Sequence, residues 1–184
     1  MQSSLLGFAQ VVIEENFSKF FGGLLIVDTS GDPKEFRCTS PVQPSVLQQI
    51  LWGETLRRHV LSKVLLPALV KELQLLPKAI LVQHREFLEA RNQLEMPIVR
   101  VRRAESGDQP LAPSLTYAAT RVDLGSQGTE SFILECGVDH SADLETVKPL
   151  IVKFHQNCFL LEPFKRVEQA IKILKQKLER GPAT

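Results

Sequence analysis

Arg100 and Arg102 are two residues apart in Pro97–Arg103 and alternate with Val99 and Val101. On an extended strand that spacing puts both guanidiniums on one face, with Arg103 on the other at the strand end. Two like charges on one face call for a carboxylate, solvent or an anionic ligand, so this pair is the first candidate for a small-anion site. His84 follows the apolar run Ala79–Val82, and Asp139-His140 follows the run Glu130–Val138. Loops after strand ends carry function in many α/β folds. His84 and Asp139 therefore join Arg100 and Arg102 as the candidate ligand-binding set.

Other chemically capable residues have plainer explanations. Asp28, Asp32 and Glu35 could bind a divalent cation or do acid–base work. They sit, however, in the turn Asp28–Glu35, which begins with the turn-forming run Asp28-Thr-Ser-Gly-Asp-Pro33, and lack EF-hand spacing. Arg57, Arg58 and His59 are consecutive on a helix and cannot all face one way, so a solvated face is expected. Cys136, Asp139 and His140 contain the parts of a nucleophilic set, but a base normally approaches its nucleophile from another element. His155 and Cys158 can share a helix face, yet no second ligand pair accompanies them. Gly22-Gly23 precedes a strand and does not open a helix, so it lacks the geometry of a phosphate loop. No HExxH or GxSxG signature occurs. No catalytic residue, metal ligand or cofactor is expected.

The last helix offers a surface of another kind. Phe164, Val167, Ile171, Leu174 and Leu178 recur at spacings of three and four, an apolar stripe. Lys165, Arg166, Lys172, Lys175, Lys177 and Arg180 make the rest basic. The stripe can pack on this chain's own sheet or serve as a partner-binding face.

The elements that position these residues follow from pattern. Leu5–Glu14 and Phe20–Asp28 read as strands, the second apolar enough to be buried on both faces. Lys34–Thr39 returns antiparallel after the Asp28–Pro33 turn. Ser45 and Gln48 form a capping box for a helix beginning at Val46. Helical spacing runs on through Thr55–Leu75, where Pro67 predicts a kink or break near Lys63–Leu66. Ala79–Val82, a helix over His84–Gln93 and the strand Pro97–Arg103 make a β-α-β run, the one place where parallel pairing is expected. Glu105–Pro113 reads as a flexible loop. Leu115–Asp123 and Glu130–Val138 form a hairpin. Helices over Asp143–Phe159, with Ser141 as N-cap, and from Pro163 to about Arg180 close the chain.

A chain of 184 residues, 43% hydrophobic and 23% charged, suits one domain with a sizeable core, with a possible subdivision near 76–78. The expected fold is α+β: an antiparallel-dominated mixed sheet flanked by four or five helices, with one β-α-β crossover. The net charge of +1 supplies no global basic footprint, so nucleic acid is not an expected partner. Three widely spaced cysteines suit free thiols in a reducing cytoplasm. No membrane-spanning run or leader pattern is apparent, which gives a cytoplasmic expectation.

The segments GGLLIVD, EFRCTSPV and LQxxLWGxxL, within about Gly23–Leu56, resemble a stretch in bacterial proteins of no assigned activity. LLEPFKRVEQAI looks like the end of the same group. The resemblance implies a bacterial cytoplasmic protein and nothing catalytic. The turn-linked strands also look like hairpins of PAS, GAF and roadblock domains, a likeness of fold alone. The expectation is a non-enzymatic binding or assembly protein acting through helix surfaces, with a protein partner or as a homodimer. The alternatives are a small-ligand or anion-binding regulatory domain and a hydrolase or nuclease using scattered carboxylates and histidines.

Overall fold

The computed structural model describes residues 4–105, 115–125 and 130–180. Seven strands form one sheet: β1 (Leu6–Ile13), β2 (Phe20–Val27), β3 (Pro33–Cys38), β4 (Ala79–Val82), β5 (Ile98–Arg103), β6 (Tyr117–Leu124) and β7 (Glu130–Gly137). Their order is β3-β2-β1-β4-β5-β7-β6. β1 pairs parallel with β4, and β4 with β5; the flanking pairs are antiparallel. The centre of the sheet is thus parallel, which corrects the expectation of an antiparallel-dominated sheet. The β4–β5 crossover is as expected. The β1–β4 pairing was not, because nothing in either strand's local pattern names a partner about seventy residues away. The anticipated loop at 105–113 lies, after Glu105, outside the described residues.

Helices cover both faces, so the central strands read as continuous apolar runs. On one face Leu6, Phe8, Leu81 and Val99 pack under α4 (Ala142–His155) and α5 (Glu162–Arg180). The Phe8 ring lies 5.3 Å from Phe154 and 5.1 Å from Phe164, centroid to centroid, which ties β1 to both helices. On the other face Ala9, Leu24, Ile80 and Ile98 meet Leu61, Leu65 and Phe87. Those residues come from the helical run α2 (Thr55–His59) to α3 (Leu66–Lys71) and from a 3-10 helix, Arg85–Asn92.

The Pro67 kink takes the form of a π-helical segment, Val60–Leu65, between α2 and α3. Proline has no N–H, and its ring crowds the carbonyl four residues back; the widened turn relieves that crowding. The Ser45/Gln48 capping box is formed at the start of α1 (Val46–Trp52). α1 buries none of its residues, and Val46, Leu47, Ile50 and Leu51 are exposed. Ser141 sits before α4 but makes no side-chain cap, because a 3-10 turn, Val138–His140, leads into the helix and leaves Ser141 helical.

The acidic turn is structural. Asp28 accepts hydrogen bonds from the Ser30 and Asp32 amides and pairs with Lys34, while Gly31 takes φ +84°. Glu35 accepts from the Gln74 and Leu75 amides and from Arg37.

Gly22-Gly23 also has a packing role. A Cβ on Gly23 would lie 2.9 Å from Ile171 Cδ1 and 3.0 Å from Val167 Cγ1. The missing side chain lets α5 settle against β2. Gly23→Val forces these atoms apart, and overpacking of this kind costs about 1–3 kcal/mol. Urea unfolding checks this: the midpoint should fall with the slope unchanged.

Candidate functional site

Parallel pairing brings the C-terminal ends of β1, β4 and β5 to one edge of the sheet. The β1–β4 register sets Ala9 against Val82, so Gln10 and Gln83 come next as neighbours. Gln10 is buried in an otherwise apolar strand. Its side-chain oxygen accepts from the Val11 amide at 3.1 Å, and its Nε2 donates to Gln83 Oε1 at 2.8 Å. A backbone N–H can only donate, so this chain of bonds fixes the orientation of both amides.

Gln83 joins this pair to a charged cluster on the opposite face. Its backbone carbonyl accepts from Arg100 Nε at 2.9 Å. Arg100 and Arg85 both donate to Glu135, which faces Arg100 across the β5–β7 ladder. The Glu135 side chain is only 7% exposed. Burial opposes its charge, but hydrogen bonds from Arg85 and Arg100 outweigh that and hold its pKa below the ordinary value.

His84 is the next residue along. Arg57 Nη2 lies 2.8 Å from His84 Nδ1, and Arg57 Nε lies 2.8 Å from Glu86. A guanidinium cannot accept, so Nδ1 carries no proton and His84 is the neutral Nε2–H tautomer. Burial, followed by the Arg57 charge, lowers its pKa in agreement with that geometry.

On the α5 side of the amide pair is a cleft of about 340 Å³, lined in part by Gln83, Arg103, Phe159, Lys165 and Glu168. The Arg103 guanidinium carbon stands 5.7 Å from the centre of the Phe159 ring, and Arg103 also pairs with Glu130. Lys165 is exposed.

Of the residues anticipated from sequence, the fold gathers Arg100 and His84 around Gln83, and Arg102 shares the Arg100 face. Asp139 is elsewhere. In the β5–β7 ladder it lies beyond Gly137, toward the start of β5, whereas His84 lies beyond the end of β4. The register separates them by about six residues of strand, or about 20 Å. Asp139 therefore does not belong to this site. Cys136 is buried with its thiol 3.4 Å from the His140 carbonyl, and burial followed by the Asp143 charge pushes its pKa up to about 11. That makes it an inert structural thiol. His155 Nε2 pairs with Glu130, while Cys158 turns toward Glu162. Among the described residues no three His, Cys, Asp or Glu side chains come together to hold a metal ion.

Phe164, Val167 and Ile171 are buried in the core beneath α5, so they are not available to a partner. Leu174 and Leu178 line a groove of about 730 Å³ with Phe21 and Cys38. The alternation of strands and the polarity of the cluster were legible in sequence. The signal overlooked was the lone amide, Gln10, within LGFAQVVI, together with Gln83 closing AILV and Glu135 within FILEC.

No protein-family model and no curated protein matches the chain. The fold is similar to that of endonuclease V from Bacillus subtilis, with a TM-score of 0.57 and 14% identity over 98% of this chain and 83% of that one. Endonuclease V from Streptomyces avermitilis gives a TM-score of 0.59 with 10% identity over 95% and 82%. Endonuclease V (D234N) from Ciona intestinalis, in complex with a 23mer DNA containing an inosine, gives 0.53 with 13% identity over 96% and 87%. At these identities the likeness is one of fold. It nonetheless corrects the expectation of a non-enzymatic protein-binding or homodimeric assembly protein for which nucleic acid is an unlikely partner: these three neighbours are endonucleases, and one of them is seen on DNA. Among the described residues no helix is long and apolar enough to cross a membrane.

Two measurements check the site. Glu135→Ala strands the half-buried Arg100 guanidinium, and breaking a buried pair in this way costs about 3–5 kcal/mol; Arg85→Ala, whose side chain is 47% exposed, costs about 1 kcal/mol or less. Because the two arginines hold the folded pKa of Glu135 below its ordinary value of 4.5, its contribution is complete above pH 4.5 and is lost as pH falls through the folded value. Stability measured against pH should therefore fall less steeply below pH 4.5 in Glu135→Gln than in wild type.

Proposed function

We propose that this chain binds nucleic acid at the C-terminal edge of β1, β4 and β5. The observation that carries the reading is the convergence of Arg57, Arg85, Arg100, Arg103 and Lys165 on one edge of a scaffold shared with endonuclease V. In open α/β sheets ligands bind outside the carboxyl ends of parallel strands. The exposed heads of Arg85 and Arg103, 47% and 58% exposed, are able to exchange their carboxylate partners for phosphate oxygens. The near-neutral net charge is compatible with this, since the cations are concentrated locally and the acids that balance them lie partly in the turn at Asp28–Glu35.

A second reading, phosphodiester hydrolysis, has the fold likeness in its favour. Two-metal nucleases clamp the attacking and leaving oxygens between ions held by hard oxygen ligands. Among the described residues this edge does not fit such a centre. Gln10 and Gln83 are neutral amides bonded to each other, Glu135 is held by two arginines, and Glu86 is paired with Arg57. Nucleic-acid binding is therefore the reading the described residues support best, with hydrolysis as the alternative.

Fluorescence anisotropy with labelled single- and double-stranded oligonucleotides tests both. Binding should weaken steeply with salt. Arg103→Ala with Lys165→Ala should weaken it further and lower the salt slope by up to about one unit per lost phosphate contact. Salt-independent binding, or none, contradicts the proposal. Cleavage of the same oligonucleotides with Mg²⁺ or Mn²⁺, abolished in Gln83→Leu, overturns the binding-only reading in favour of hydrolysis.

A further inference from the structure

The cleft beside Gln83 has a composition that the proposed binding edge does not by itself require. It joins an aromatic ring, a guanidinium above that ring, a primary amide, a carboxylate and an exposed ammonium within about 340 Å³. That volume is at the lower end of the range for small-ligand sites, about 300–1,000 Å³. Aromatic faces and arginine planes are the platforms on which unpaired bases stack.

The polar groups are also ordered. Because Gln83 Oε1 already accepts from Gln10, its free valence toward the cleft is the Nε2 amino group, a double donor. No other described group accepts from it. Glu168 provides the complementary acceptor. One of its oxygens pairs with Lys172 along the helix, an i,i+4 contact between half-exposed side chains, and among the described residues the other has no hydrogen-bond partner. A donor amide beside an acceptor carboxylate matches guanine, whose O6 accepts and whose N1–H and N2–H₂ donate. It mismatches adenine, which presents an amino donor where Gln83 also donates.

We propose that this cleft takes an unpaired guanine base of a single-stranded nucleic acid. Phe159 and Arg103 provide the stacking surface, Gln83 Nε2 donates to O6, Glu168 accepts from N1–H and N2–H₂, and Lys165 meets the adjacent phosphate. The inference rests on the nucleic-acid reading above and adds the base that the site selects.

Anisotropy titrations with two oligouridine 9-mers, differing only in a central G or A, separate the two ideas. Wild type should bind the G-containing strand roughly tenfold or more tightly, the discrimination expected of one good bidentate base contact. Glu168→Gln replaces a pure acceptor with a group that also donates. It should remove the preference while leaving affinity for the A-containing strand unchanged. Phe159→Leu should weaken both strands through lost stacking. A circular dichroism melt confirms that each variant folds, and Lys165→Ala, at an exposed position, serves as a second probe that should weaken both strands equally. Tight but equal binding of the two strands by wild type, or a G preference that survives Glu168→Gln, overturns the guanine cleft and leaves nucleic-acid binding standing. Failure of wild type to bind either strand overturns both.

Discussion

Parallel pairing of β1 with β4 and of β4 with β5 is the constraint on which the rest depends. A parallel pair cannot be closed by a hairpin, so the chain between β1 and β4 must leave the sheet and return, and it does so through the helical run Val46–Lys71. That crossover covers one face, α4 and α5 cover the other, and the central strands become apolar throughout. The same pairing brings three strand ends to one edge. Gln10 and Gln83, which look isolated in sequence, become neighbours there, and the antiparallel β5–β7 ladder adds Glu135 beside Arg100.

The glycine pair of β2 serves this architecture and not a ligand. Helix α5 crosses β1 and β2 closely enough that Gly23 leaves no room for a methyl group. The position of α5 in turn sets where Lys165 and Glu168 face the end of β4. Packing in the core thus determines the geometry of the cleft, although no cleft residue except Phe164 is buried in it.

Local chemistry was legible and long-range pairing was not. The Asp28–Pro33 turn, the Ser45/Gln48 capping box, the distortion before Pro67 and the boundaries of β4 all follow from residues within a few positions of one another. The register of β1 on β4 follows from which apolar strand lies beside which, and hydrophobic alternation gives the same pattern for several choices. Arg100 and His84 both lie beside Gln83, while Asp139, attractive because it also follows a strand, falls at the other end because β7 runs antiparallel to β5. The stripe on α5 was equally visible, but a stripe does not say what covers it; Phe164, Val167 and Ile171 are covered by this chain's own sheet. A lone amide such as Gln10 carries no signal until its strand is known to be central and its side chain buried.

The central claim is that nucleic acid meets this molecule at the strand-end edge. Amide hydrogen exchange with and without a saturating single-stranded oligonucleotide tests it most directly. The account predicts added protection at Gln83–Arg85, around Arg103 and along Phe159–Glu168, with α1 unchanged. Protection confined to α1 or to the groove at Leu174 and Leu178, or no change anywhere, would contradict it.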